Sequence, residues 1–219
     1  ALLRDRQAAL LVGGFSLIAT GYQSFFGLVE EYTGVAGFSD AQAAAMAIAY
    51  FIAGLVSVLL LNVLIRGRIQ MFPVLQSIIT GGVVLVGGGL VAAVCPGDFS
   101  TALVLAAAQG IFVCALPPIV MALVVEAIFP MEASLGIGVA KGSTYLFTFV
   151  GMQVLNYLIE WQPTYVGIIS GANCFFMVCY LGGAALLWSY KPQLRRYEAE
   201  LQREFGRSSL GVEEAAQVR

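Results

Sequence analysis

Residues 41–68 read AQAAAMAIAYFIAGLVSVLLLNVLIRGR, an uncharged run over Ala41–Ile65 closed by Arg66-Gly67-Arg68. A helix needs about 20 predominantly apolar residues to cross the core of a bilayer, and this run is long enough. Backbone in hydrocarbon must satisfy its own polar groups, so the run reads as a transmembrane helix. Five further stretches pass the same test: Gln7–Val29, Phe72–Val94, Thr101–Val125, Ala133–Ile159 and Thr164–Tyr190. Charged or turn-forming residues separate them, at Glu30-Glu31, Cys95-Pro96-Gly97-Asp98, Pro130-Met131-Glu132 and Glu160-Trp161-Gln162-Pro163. The expected fold is an all-α membrane protein with six transmembrane helices. Short loops predict that successive helices pack as antiparallel neighbours.

Composition points the same way. Hydrophobic residues make up 59% of the chain, charged residues only 11%, and the mean hydropathy is +0.87. A soluble domain carries about 25% charged residues, so this chain has too few to cover a water-facing surface. The net charge of −2, with no basic arm, gives no reason to expect a nucleic-acid partner. There is no histidine at all. That excludes bis-histidine haem ligation, an imidazole-based zinc site and a Ser-His-Asp hydrolase within this chain. Cys95, Cys114, Cys174 and Cys179 lack metal-ligand spacing and read as small core residues. No nucleophile–base pair stands out, so no catalytic residue, metal ligand or cofactor is assigned and the chain is not read as an enzyme. It begins at Ala1 without Met or a leader and is expected to be a processed or partial chain.

Basic residues set the expected orientation. Arg4 and Arg6 precede the first helix, Arg66 and Arg68 follow the second, and the segment from Lys191 to Arg219 follows the sixth. The loops after helices one, three and five contain no Lys or Arg. Both termini are therefore expected on the cytoplasm-like side of a plasma or organelle (including mitochondrial) membrane. The chain divides into a transmembrane bundle at 1–190, an amphipathic helix at 191–207 marked by Leu194, Tyr197, Leu201 and Phe205, and a flexible tail at 208–219.

Polar residues are unevenly spread among the spans. The third and sixth carry few, Gln76 and Asn173, while the first carries Ser16, Thr20, Gln23 and Ser24, and the fifth carries Lys141, Tyr145, Thr148, Gln153 and Asn156. If the spans form two inverted three-helix repeats, the third helix of each is the one expected to face lipid. Lys141 lies eight residues into the fifth span, about 12 Å deep at about 1.5 Å per residue. An ammonium there either faces a cavity or partner, snorkels, or pairs with Glu126. Stepping by three and four gives Ser134, Gly138, Lys141, Tyr145, Thr148 and Met152, a small and polar stripe. Gly138-x-x-x-Gly142 is a candidate for close contact between helices. Pro117-Pro118 either kinks the fourth span for packing or breaks it beside a cavity. Glu126, four residues before Pro130, is expected to hold the turn between the fourth and fifth spans by accepting hydrogen bonds; proton coupling is the alternative.

Gly110, Pro118, Glu126, Phe129-Pro130 and Gly138 follow one another at a spacing that resembles the major facilitator superfamily, and within it the feline leukaemia virus subgroup C receptor-related family. Ile52-Ala53-Gly54 is similar too. The resemblance covers roughly residues 5–190 and implies the carboxy-terminal half of a twelve-helix carrier, a family associated with choline, ethanolamine and haem. It gives Pro118, Glu126, Pro130 and Gly138 structural or gating roles. Two departures matter. Tyr145 stands where the family places a substrate-contacting glutamine, and Asn62–Arg68 lacks the loop aspartate. A cation at Lys141 also disfavours a quaternary ammonium.

The expected function is thus half of a solute carrier working by alternating access on a small polar or zwitterionic substrate. Lys141, Tyr145, Gln23 and Thr148 would line the pathway, and helices two and five would meet a second six-helix half. The alternative is a degenerate carrier half serving as a structural subunit, with membrane lipids and other membrane subunits as partners.

Overall fold

A computed structural model describes residues 5–65, 68–94, 97–161, 170–192, 194–199 and 202. Among them the chain is helix, turn and loop, with no strand. The long helices are α1 (Arg6–Gly27), α3 (Asp40–Leu64), α4 (Phe72–Val94), α5 (Phe99–Ile128), α6 (Ala133–Trp161) and α7 (Gly171–Trp188), and a short α2 (Val29–Gly34) follows α1. Their starts are written in the sequence. Asp5, Ser39, Asp98 and Ser170 each accept a backbone N–H of the first turn, and Ser39 and Gln42 close a reciprocal capping box.

Five of these helices are long and apolar enough to cross a membrane: α1, α3, α4 with its leading 3-10 turn, α5 and α7. The protein is an all-α membrane protein. The fifth expected span, α6, has 29 residues, ample length at about 1.5 Å per residue. Lys141, Gln153 and Asn156 and the small polar residues around them keep it less apolar than the other five.

Ties at the two ends fix the course of the chain. At one end the Lys191 N–H donates to Gln7 Oε1 (2.9 Å), Gln70 Nε2 to the Tyr197 hydroxyl (2.9 Å), and the Arg196 N–H to Glu126. At the other, the Tyr32 hydroxyl donates to Asn173 Oδ1 (2.6 Å), and Phe38 meets Phe99 edge-on. The start of α6 follows the first end and the start of α7 lies at the second, so α6 runs the length of the bundle. Residues 195–199 are helical, inside the expected amphipathic segment; Leu201, Phe205 and the tail at 208–219 lie outside the described residues, as do 164–169 of the sixth expected span.

Contacts between helices follow a crosswise plan. α1 packs chiefly on α6 and α7, α5 on α3 and α4, and the pairs α4–α7 and α1–α5 also meet. Exchanging α1, α3 and α4 for α5, α6 and α7 maps these main pairs onto one another, while the smaller α5–α6 and α6–α7 contacts have no α1–α3 or α3–α4 counterpart of similar extent. Of the helices expected to pair in sequence, only α4 and α5 pack extensively. Close approach is decided by small residues rather than loop length. A Cβ added at Gly183 would meet the Gly14 carbonyl oxygen at 2.7 Å, one at Gly110 would collide with the Tyr50 backbone, and one at Gly151 with Thr20.

α4 and α7, the third and sixth expected spans, are each 44% buried within the chain, less than α1 and α5 at 61%. α3 is the least buried of the apolar helices, at 22% against 44% for α4 and α7. Gln76 of α4 and Asn173 of α7 are both buried, where polar groups find partners. Side chains such as Phe51, Leu55 and Leu59 stand outside on α3.

Candidate functional site

The polar residues of α1 and α6 meet in one seam. Ser16 Oγ and Thr144 Oγ1 are 3.3 Å apart, and Thr144 also donates to the Ala140 carbonyl (2.9 Å). Thr148 Oγ1 donates to Gln23 Oε1 at 2.7 Å. α6 buries Gly136, Ala140, Thr144, Thr148, Gly151 and Leu155. Thr20 and Thr144 donate to carbonyls four residues back in their own helices, and the buried Ser24 Oγ has no hydrogen-bond partner among the described residues. Two of the four expected pathway residues, Gln23 and Thr148, are therefore in direct contact.

The other two lie on the outward side of α6. Lys141 and Tyr145 are exposed, one turn apart, and so are Ser134 and Gly138. The expected stripe is thus split, with Thr148 turned inward to the seam. Among the described residues Lys141 forms no ion pair, and it is not among the residues lining the cavity between α1, α3 and α5. Gly138 and Gly142 have open space where a Cβ would stand. The expected helix contact at Gly138-x-x-x-Gly142 is made instead by the opposite face of α6, through Gly136 and Gly151.

Beside the seam lies a half-open cavity of about 400 Å³ between α1, α3 and α5. Its walls are aromatic: Tyr22 and Phe26 from α1, Tyr50 and Phe51 from α3. The rings of Phe26 and Tyr50 lie 3.8 Å apart at 30°, nearly stacked. Gln23 lines it as well, so one side chain joins the cavity to Thr148. Tyr145, 61% exposed, stands within electrostatic reach of Tyr22.

α5 supplies the remaining wall through Val113, Cys114 and Pro117. The helix runs unbroken through Pro117-Pro118. Proline has no N–H, so the carbonyls of Val113 and Cys114 lose their donors four residues on. The two prolines thus place polar backbone at the cavity wall. No family model matches this chain, and no curated protein matches it. The site has to be read from its own geometry.

That geometry suits reversible binding of an organic solute. Aromatic faces offer apolar and quadrupolar contact, while Gln23 and the tyrosine hydroxyls offer hydrogen bonds. No charged side chain lines it. Among the described residues no cluster of His, Cys, Asp or Glu has the arrangement of a metal site.

Glu126 accepts backbone hydrogen bonds, as expected, but from the segment after α7. It is buried, and its Oε2 accepts the backbone N–H groups of Arg196 and Tyr197, each at 3.1 Å. Arg195 Nη1 reaches both Asp5 Oδ2 and the Ala127 carbonyl at 3.3 Å. Glu126 thus anchors the segment after α7 rather than the turn before α6, and it does not pair with Lys141. Pro130 lies in that turn, between α5 and α6.

Sequence reasoning found Gln23, Thr148 and Pro118 near the site but missed Tyr22, Phe26, Tyr50, Phe51 and Cys114. Adjacent aromatics at Tyr50-Phe51 and Phe25-Phe26 were the available signal. Nothing in a uniformly apolar run says which ring turns inward.

Proposed function

We propose that this chain is one half of a membrane solute carrier working by alternating access, with α6 as a sixth crossing and a second six-helix bundle covering the α3–α6 side. The observation that carries the reading is the aromatic cavity, half open on the less covered side of the bundle and sharing Gln23 with the α1–α6 seam. Carriers built from inverted repeats hold their substrate near the midplane between two rocking bundles. The exchange pattern of helix contacts supports such a pair of repeats, with α1 and α5 equivalent. The end-to-end course of α6 supports the sixth crossing. Clustering of the amino-terminal Asp5, Gln70 and the 191–197 segment at one end supports both termini on one side. A cavity of about 400 Å³ favours a small polar solute of choline or ethanolamine size over haem.

A second reading rests on Lys141. A lone exposed ammonium in the middle of a long helix suits a carboxylate of a neighbouring subunit, as in a degenerate half retained for assembly. Purifying the tagged chain with its companions separates the two. The carrier reading expects the chain alone or with one second bundle, and saturable uptake of labelled choline or ethanolamine in liposomes. Gln23→Ala should lower that uptake at least tenfold. Stoichiometric unrelated subunits together with no uptake would overturn it. Lys141→Leu with unchanged transport and unchanged assembly removes Lys141 from either role.

A further inference from the structure

Gln109 of α5 is fully buried, yet neither its Nε2 nor its Oε1 makes a hydrogen bond among the described residues. A buried amide without partners is destabilising by about 1–3 kcal/mol, and native interiors rarely leave one. Its surroundings are built around it. Gly87 of α4 leaves room for the amide, since a Cβ there would sit 3.1 Å from Gln109 Nε2. Gly87 and Gly21 also clasp the Tyr180 ring from opposite edges, where Cβ atoms would meet Cε2 and Cε1 at 2.7 and 2.8 Å. The Tyr180 hydroxyl is thereby brought beside Gln109, near enough to interact with the amide but outside full hydrogen-bond geometry, and within electrostatic reach of Tyr22 and Tyr50. Both of those tyrosines line the aromatic cavity, and Val113, one turn beyond Gln109 on the same side of α5, lines it too.

We infer that the Gln109 amide and the Tyr180 hydroxyl form the inner, polar end of this cavity and receive the part of an organic ligand that both donates and accepts a hydrogen bond, a primary carboxamide or an alcohol. The inference rests on the cavity being the ligand site of the proposed function. An amide with both atoms free matches a group of mixed donor and acceptor character, because a carboxylate would leave Nε2 served and Oε1 unserved. The cavity holds no charged side chain, so an anionic head would enter it without a counter-ion, whereas a cationic group can rest on the ring faces. Four apolar ring faces receive the rest of the ligand.

Cys114, a half-buried free thiol in the wall, reports occupancy. Purified chain in nanodiscs is alkylated with N-ethylmaleimide, and modification of the Cys114 peptide is followed by mass spectrometry with benzamide, ethylbenzene or benzoate present. At equal lipid-phase concentration, benzamide should protect Cys114 about tenfold better than ethylbenzene, a ring of similar size with no polar group. Gln109→Leu should erase that ratio. Tyr180→Phe, which keeps the ring between its glycines, should reduce it. Equal protection by benzamide and ethylbenzene in the native chain, the result if the amide holds only water, overturns the inference. So does a ratio that survives Gln109→Leu, or benzoate protecting as well as benzamide. The readout needs no transport: discrimination at Cys114 without uptake would retain this site and sink the carrier, while uptake without discrimination would do the reverse.

Discussion

The two sides of this bundle are finished to different degrees. Where α4 and α7 meet α1 and α5, glycines receive neighbouring backbone and rings: Gly183 lies on Gly14, Gly87 on Tyr180, and Gly82 under Phe112. Gln76 and Asn173 are buried there, and Asn173 accepts the Tyr32 hydroxyl. On the α3–α6 side, Gly138 and Gly142 touch nothing, Lys141 has no ion pair among the described residues, and apolar α3 side chains stand outside. The same residue type thus serves two ends. Glycine on the closed side is a packing device already used, and glycine on the open side is room left for something else. In a bilayer there is little hydrophobic drive between helices, so close packing and hydrogen bonds decide where they associate.

The largest test sets one glycine of each side against the other. Gly183→Val drives a side chain into the Gly14 carbonyl oxygen and the Ile18 backbone, atoms that cannot rotate away. Overpacking of this kind costs about 1–3 kcal/mol or more, and thermal unfolding in detergent should fall accordingly or the chain should fail to fold. Gly142→Leu meets open space and should change bundle stability by under about 0.5 kcal/mol while weakening association with a second bundle. Equal destabilisation by both would erase the contrast.

A second test acts at one end, where the closed side is tied down. Glu126→Ala removes the acceptor for the Arg196 and Tyr197 N–H groups. Lost bonds to a charged acceptor are worth about 1.5–3 kcal/mol in general, and the segment at 194–199 should lift off. Hydrogen exchange at these amides would rise sharply while exchange in α4 and α7 stayed slow. Glu126→Gln keeps an acceptor oxygen and should restore most of the protection. A third and smaller test sharpens the border between the sides. Thr148→Val removes the hydrogen bond to Gln23, for which membrane interiors suggest about 0.6 kcal/mol. The readout is a small drop in unfolding temperature, with Gln23 freed toward the cavity.

Much of this architecture is legible in the sequence, and the illegible part has a physical cause. Long uncharged runs gave helix bounds close to those found, because hydropathy and length alone decide which segments cross. Asp98 and Ser39 mark helix starts for the same local reasons that govern soluble helices. The turned face of each helix was harder. α5 is apolar all round, so no amphipathic pattern singles out Val113 and Cys114, and Lys141 looks alike in sequence whether it faces a cavity or the outside. Gly14 and Gly183, 169 positions apart, had to meet before either could be read as a contact. α2 was hidden in what looked like a charged separator, since Tyr32 gains its purpose only through Asn173. The anchor on Glu126 came from residues 70 and 71 positions away.

The gentlest test lies at the start of α5, the helix both sides share. Asp98 caps it: the hydroxyls of Thr101 and Ser100 donate to its carboxylate, and the Thr101 N–H adds a third bond. Those bonds, the Thr101 hydroxyl foremost, hold the carboxyl below its ordinary value. A carboxylate depressed in the folded chain stabilises it above the unfolded pKa, about 3.9 for Asp, and that contribution disappears as pH falls through the lower folded value. Asp98 is fully exposed, so the change should be small and confined to acid. Unfolding temperature compared between the native chain and Asp98→Ala from about pH 6 to pH 2 should show a gap that closes at the acid end. Closure at neutral pH would mean that the cap does not act through its charge, and a gap growing in acid would reverse the assigned sign. Either result would also loosen the comparison itself, because both sides take their register from where α5 begins.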